Sequence, residues 1–105
     1  MKSKMVFKLG QSVTIAALLA LVGCAGGVPA ATEADAARAH TSLASLDQGR
    51  TLFMAHCGAC HAPPSPTSQP VSAWPGHVDE MQTRAHLTPD EASLVKQYLV
   101  TVSSR

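Results

Sequence analysis

The chain has 105 residues, of which 46% are hydrophobic, 14% charged and 4% aromatic, and its formal net charge is +1. Three of its basic residues, Lys2, Lys4 and Lys8, stand at the very N-terminus, so residues 24–105 carry five basic and seven acidic residues, a net charge of −2. This length allows one small domain after the N-terminal segment. The sequence has no basic patch, which argues against nucleic-acid binding.

The N-terminus has the pattern of an export signal. A lysine-bearing segment is followed by an apolar run over residues 12–22 and by small residues, and about 10 apolar residues suit a secretory signal, whereas a transmembrane helix needs about 20. The sequence Leu21-Val22-Gly23-Cys24 resembles the lipobox of bacterial lipoproteins. This resemblance implies that residues 1–23 are removed and that Cys24 is acylated, which anchors the chain to the membrane. Alanine at position 25 in such lipoproteins fits the outer membrane.

Residues 24–42 are predicted to form a flexible tether. They are small and polar with almost no large apolar side chain, so they cannot bury enough surface to order themselves. The folded domain is therefore predicted over residues 43–105. A core of this size rarely supplies more than ~3–5 kcal/mol, so some covalent or metal staple is expected.

Two helices are predicted, and no convincing strand is visible. The first runs from about Asp47, as N-cap, to Cys57 or Cys60, because apolar residues recur at three- and four-residue spacings. The second begins at Thr88, where a threonine, a proline and a glutamate three residues later form a capping-box pattern. Five prolines between the two helices predict that no long regular element forms there.

The sequence Cys57-Gly58-Ala59-Cys60-His61 has the C-x-x-C-H spacing at which c-type haem is attached. If the first helix continues to Cys60, these residues occupy positions i, i+3 and i+4, which share one face, so both thiols and the imidazole would point to the same side. The thiols would form thioethers with the porphyrin, and the histidine would bind the iron.

Three other interpretations of these residues stay open. A thioredoxin-like dithiol needs a βαβ pattern around it. A structural zinc site needs a fourth ligand, and adjacent cysteine and histidine ligands are unusual. A disulfide would close a very small loop and would leave His61 without a role.

Beyond the motif, residues 46–102 resemble small monohaem class I cytochromes c. The similarity lies in Gly49, Leu52 and Phe53 before the motif, in the proline-rich loop, and in the closing helix with Tyr98. The resemblance implies an all-α, cytochrome c-like fold in which the first and last helices cross closely around one covalent haem c. In that family a glycine and an aromatic residue on one helix meet an aromatic residue on the other, and Gly49, Phe53 and Tyr98 match those places.

The same resemblance implies a methionine as the second axial ligand of the iron. Met81 is the only methionine after the motif and is the candidate, with His77 and His86 as rivals. Met54, His40 and His56 are expected to lie away from the iron, the last two exposed to solvent. Pro63 or Pro64 is expected to accept a hydrogen bond from His61, and Trp74 to lie against the haem rim or in the core.

The expected function is therefore electron transfer and not catalysis. The chain would be an exported, lipid-anchored cytochrome on the periplasmic side that passes single electrons between redox protein partners. The alternative is a haem-based module that senses a small ligand, or a haem subunit of a larger oxidoreductase, which would apply if Met81 does not bind the iron.

Overall fold

The computed structural model describes residues 27–58 and 62–105. Helices, short 3-10 turns and loops make up this part of the chain, and it contains no strand. The predicted all-α class is therefore confirmed at this level. Four helices are defined, with 3-10 turns at Pro66–Ser68 and Val71–Ala73; they are α1 (Glu33–Arg38), α2 (Leu43–Cys57), α3 (Trp74–Gln82) and α4 (Pro89–Ser103).

Helix α2 begins earlier than the sequence suggested. Ser42 and not Asp47 is the N-cap, and its hydroxyl accepts a hydrogen bond from the Ser45 amide at 3.1 Å. Serine at this position satisfies an amide that would otherwise lack a partner. The correction adds residues 43–47 to the helix. The helix ends at Cys57, the first of the two predicted ends, and its predicted continuation to Cys60 is wrong.

The start of α4 follows the prediction in detail. The Thr88 hydroxyl accepts from the Glu91 amide at 3.2 Å, and the Glu91 carboxylate accepts from the Thr88 amide at 3.0 Å. These two bonds form the expected capping box, with Pro89 in the first turn. The hydrogen bond from the Thr88 amide also lowers the pKa of Glu91.

Helices α2 and α4 cross at close range through Gly49. A Cβ atom at this position would overlap the Leu94 carbonyl oxygen and lie 2.9 Å from the Tyr98 Cβ. One turn further along α2, the rings of Phe53 and Tyr98 lie 6.3 Å apart and tilted by 41°. The expected contact of Gly49 and Phe53 with Tyr98 is therefore confirmed. Burial raises the pKa of the Tyr98 hydroxyl to about 12.

Helix α3 lies in the proline-rich connection, where no long regular element was expected. Pro75 occupies its first turn, where a missing amide hydrogen costs nothing. Trp74 and Val78 bury their side chains in the core that α4 also lines. An ion pair between Asp79 and Lys96 joins the two helices at the surface. Pro75 therefore stands at the start of this helix, and the prolines of the connection do not prevent the helix from forming.

Residues 28–38, here called the N-terminal strap, are ordered, contrary to the predicted tether over residues 24–42. Their carbonyl oxygens are bound by side chains from the distant helices: Val28 by Arg50 at 2.9 and 3.1 Å, Pro29 by the Tyr98 hydroxyl at 2.5 Å, and Ala30 by Arg105 at 2.8 Å. These partners lie 22 to 75 residues away along the chain. The correction moves the start of the folded domain from residue 43 to about residue 28.

Asp35 is the charged centre of the strap. Its carboxylate is almost fully buried and accepts hydrogen bonds from Arg105 and Arg38 at 2.5 and 2.6 Å. The Asp35 carboxylate also accepts hydrogen bonds from the amide and the hydroxyl of Thr32, the N-cap residue of α1. The guanidinium of Arg105 contributes most to holding the pKa of Asp35 well below its usual range. This network joins the N-terminal part of the domain to the end of α4.

Within residues 27–58 and 62–105, no helix combines the length and apolar character needed to cross a bilayer.

Candidate functional site

A cavity of about 510 Å³ opens among the C-terminal end of α2, α3 and α4. Its volume falls in the range of about 300–1,000 Å³ found for small-molecule and cofactor sites. Apolar side chains form most of its wall. These are Phe53, Pro64, Trp74, Val78, Ala85, Leu87, Val95 and Leu99.

Cys57, the last residue of α2, contributes its thiol side chain to the cavity wall. It is half-buried, and burial raises the pKa of its thiol. Cys60 and His61, the other two residues of the predicted haem motif, lie outside the described residues, as does Cys24. The structure therefore places the first cysteine of the motif against an open apolar space.

Met81 also lines this cavity, from α3. Met54 provides a comparison, because the two methionines are nearly equally exposed, at 41% and 43%, but only Met81 faces the cavity. Met54 lies outside this cavity, and its expected position away from the iron stays a prediction.

Of the two histidine rivals, His77 lines the cavity and His86 does not. The His77 ring lies edge-on to Trp74, with centroids 6.1 Å apart. His86 is exposed in the turn after α3, where it adopts a left-handed backbone conformation with φ of 55°. The cavity therefore brings Cys57, Met81 and His77 together.

His56 is placed differently from the expectation that it would be solvent-exposed. The side chain is half-buried and lines the cavity, and its Nδ1 lies 2.8 Å from the Ala85 carbonyl oxygen. A carbonyl can only accept, so Nδ1 carries a proton and donates it to this hydrogen bond. His40 is exposed as expected.

Trp74 holds the proline-rich loop against the cavity. Its indole Nε1 donates to the Pro66 carbonyl oxygen at 2.8 Å in a buried hydrogen bond. Its ring also packs edge-on against Phe53, with centroids 6.2 Å apart. The tryptophan is 3% exposed, so it belongs to both the core and the cavity wall.

No protein-family model matches the chain, and comparisons with curated proteins and with solved structures found no match. The site must therefore be interpreted from its own chemistry. In the part of the chain that the structure describes, no three His, Cys, Asp or Glu side chains cluster as a metal site.

Sequence reasoning missed the two remaining polar residues of the wall, Gln69 and Arg84. Arg84 is exposed and adds a positive charge to an otherwise mainly apolar cavity. Its position three residues after Met81, close to one helical turn, was the available signal.

Proposed function

We propose that the chain is an exported c-type cytochrome that carries single electrons through one covalently bound haem. The observation that carries the proposal is that the C-x-x-C-H motif starts at Cys57, on the wall of an apolar cavity of about 510 Å³. Such a cavity fits a large apolar disc, and a small domain benefits from a group that fills its centre.

Cys57 and Cys60 would hold the haem, and His61 would bind its iron. Each of the two thiols would add across a vinyl group of the porphyrin. The addition would form a carbon–sulfur bond, move the S–H hydrogen to the other vinyl carbon and consume the double bond, so it would require no oxidant. The haem supplies an iron that alternates between ferric and ferrous states.

Met81 is the proposed second axial ligand. The supporting observation is its position on the cavity wall, which it shares with Cys57 and which Met54 lacks. A thioether ligand raises the reduction potential and closes the iron to added ligands. His77 is the rival on the same wall, whereas the position of His86 outside the cavity argues against it.

The remaining wall residues would tune and shield the haem. Apolar side chains such as Phe53, Val95 and Leu99 exclude water, which lowers the local dielectric and affects the potential. Arg84 would offer a cation to the haem carboxylates, for which a guanidinium is well suited. The redox partner would dock at an exposed haem edge through a small, transient interface.

The proposed location is the periplasmic side of a membrane, with Cys24 acylated and the outer membrane as the destination. This part of the proposal rests on the lipobox-like sequence 21–24 and on Ala25. Redox proteins at the same membrane are the proposed donor and acceptor.

The first test is to express the full chain with haem-maturation machinery and to record oxidised and reduced absorption spectra. A covalent haem spectrum with the weak red-edge band of methionine bound to ferric iron is expected. Met81→Ala should abolish that band, whereas Met54→Ala, at an equally exposed methionine, should leave it unchanged. A chain with no covalent haem would refute the proposal.

The exposure of Met81 favours a second candidate, a haem-based sensor of a small ligand. At 41% exposure this side chain lies at the rim of the cavity, where a bond to iron is open to competition. Carbon monoxide should leave the reduced spectrum of an electron carrier unchanged. A shift of that spectrum in the unaltered protein would support the sensor. His77→Ala distinguishes the case in which the histidine is the ligand, because only then would it change the spectrum.

A further inference from the structure

We infer that the face of α2 around Met54 rests against the lipid bilayer that holds acylated Cys24. The inference rests on the lipid-anchor part of the proposed function and is independent of the haem. It follows from the short connection between Cys24 and the N-terminal strap and from which apolar side chain is exposed near the start of the strap.

The N-terminal strap begins at Val28, four residues after the proposed anchor at Cys24. The Val28 carbonyl accepts two hydrogen bonds from the Arg50 guanidinium, at 2.9 and 3.1 Å, and Val28 packs against the hydrophobic core. The Pro29 carbonyl is bound by the Tyr98 hydroxyl. The strap is therefore fastened to α2 and α4 from its first residues.

The connection from Cys24 to Val28 is short whatever its conformation. It contains four Cα–Cα steps, and each step is about 3.8 Å, so the connection spans at most about 15 Å. A flexible tether extending to residue 42 would have let the domain move far from the membrane. The strap leaves no such freedom, and the surface near Val28 must stay close to the lipid.

Met54 lies on that surface. It follows Arg50 by four residues on α2, which places the two side chains on one face with about 6 Å of rise between them. Met54 is 43% exposed, and the other large hydrophobic side chain exposed in the described part of the chain is Met81, which lines the cavity. A bilayer surface gives the exposed Met54 an apolar environment that water does not.

The test measures the oxidation of Met54 by chloramine-T, read by mass spectrometry of its peptide. The acylated full chain is reconstituted in phosphatidylethanolamine and phosphatidylglycerol vesicles. It is compared with a form exported behind an ordinary cleavable signal and lacking Cys24. A third form keeps Cys24 but carries about 20 Gly/Ser residues inserted before Val28, a flexible linker with a span of about 25 Å.

We expect Met54 to be oxidised several-fold more slowly in the acylated protein than in the form without Cys24, and the linker to restore the fast rate. The rate at Met81 should be the same in all three forms. Equal rates at Met54 in the three forms would overturn the inference, as would protection that survives the linker. A mature N-terminus without acyl groups would overturn it too. The haem spectrum of the same samples separates these results from a failure of the electron-transfer proposal.

Discussion

Replacement of Gly49 by alanine tests whether the close crossing of α2 and α4 controls stability. The added Cβ would lie 2.9 Å from the Tyr98 Cβ and would overlap the Leu94 backbone carbonyl. Carbon atoms pack at about 3.5–4.0 Å, so relief of the Tyr98 contact alone requires the helices to separate by roughly 0.6 to 1.1 Å, and the overlap with the Leu94 carbonyl requires at least as much. The carbonyl belongs to a regular helix and cannot rotate away, as a side chain could.

The expected cost can be worked out from two opposing effects. Overpacking costs about 1–3 kcal/mol, and we take the upper end because the obstacle is backbone. Alanine regains about 1 kcal/mol of helix propensity over glycine. The net loss is about 2 kcal/mol, which for a domain of this size lowers Tm by roughly 8 to 16 °C.

Thermal unfolding of the purified full chain, followed by circular dichroism at the helix band, measures this loss. Gly76→Ala is the matched control, because a Cβ at Gly76 in α3 meets no atom within 4 Å. It should leave Tm unchanged or raise it slightly. If the two variants unfold at the same temperature, the close crossing does not constrain the fold and the reasoning is wrong.

Two further predictions concern the strap and the loop. At neutral pH, Asp35→Asn should cost about 1–2 kcal/mol, because hydrogen bonds to charged groups are strong but both arginine partners are partly exposed. The folded-state pKa of Asp35 is lowered, so this contribution is fully present above the unfolded value of about 3.9 and is lost progressively as the pH falls from there toward the folded-state pKa. Urea unfolding at pH 6 and at pH 2.5 should therefore show a smaller difference between the two proteins in acid, and a constant difference would contradict the assignment. Trp74→Phe removes the donor to the buried Pro66 carbonyl and should cost about 1–3 kcal/mol, measured by circular dichroism; an unchanged Tm would show that the loop does not depend on this bond.

Some of the fold could be predicted because its signals are local or repeat at helical spacing. The capping box of Thr88 and Glu91 needs only four consecutive residues, and the sequence placed it correctly. The strap could not be predicted, because residues 28–38 have almost no large apolar side chain and are ordered by Arg50, Tyr98 and Arg105, which lie far along the chain. Composition indicates whether a segment can become ordered by burying its own side chains. It does not indicate whether a distant arginine will form hydrogen bonds to the carbonyl oxygens of that segment.

The residues of the candidate site could also be predicted only in part. Met81 and His77 could be selected as possible ligands by residue type, and the structure brings both to the cavity that Cys57 lines. His56 was expected to be exposed because consecutive helical positions lie about 100° apart, so its side chain points away from the Cys57 face. That reasoning considers α2 alone and not the segments that pack against it. The turn after α3 places the Ala85 carbonyl oxygen 2.8 Å from the His56 Nδ1, so a side chain away from the thiol also reaches the cavity.

The position of Trp74 allows the intrinsic fluorescence of the protein to report whether the cavity is filled. The chain has a single tryptophan, and its indole forms part of the cavity wall. The excitation energy of an indole is transferred efficiently to a visible-light absorber in contact with it. Tryptophan fluorescence should therefore be weak in molecules whose cavity is filled by such an absorber and strong in molecules whose cavity is empty. Emission intensity then counts filled and empty molecules in a preparation without any label, and its wavelength reports the polarity around the indole during unfolding.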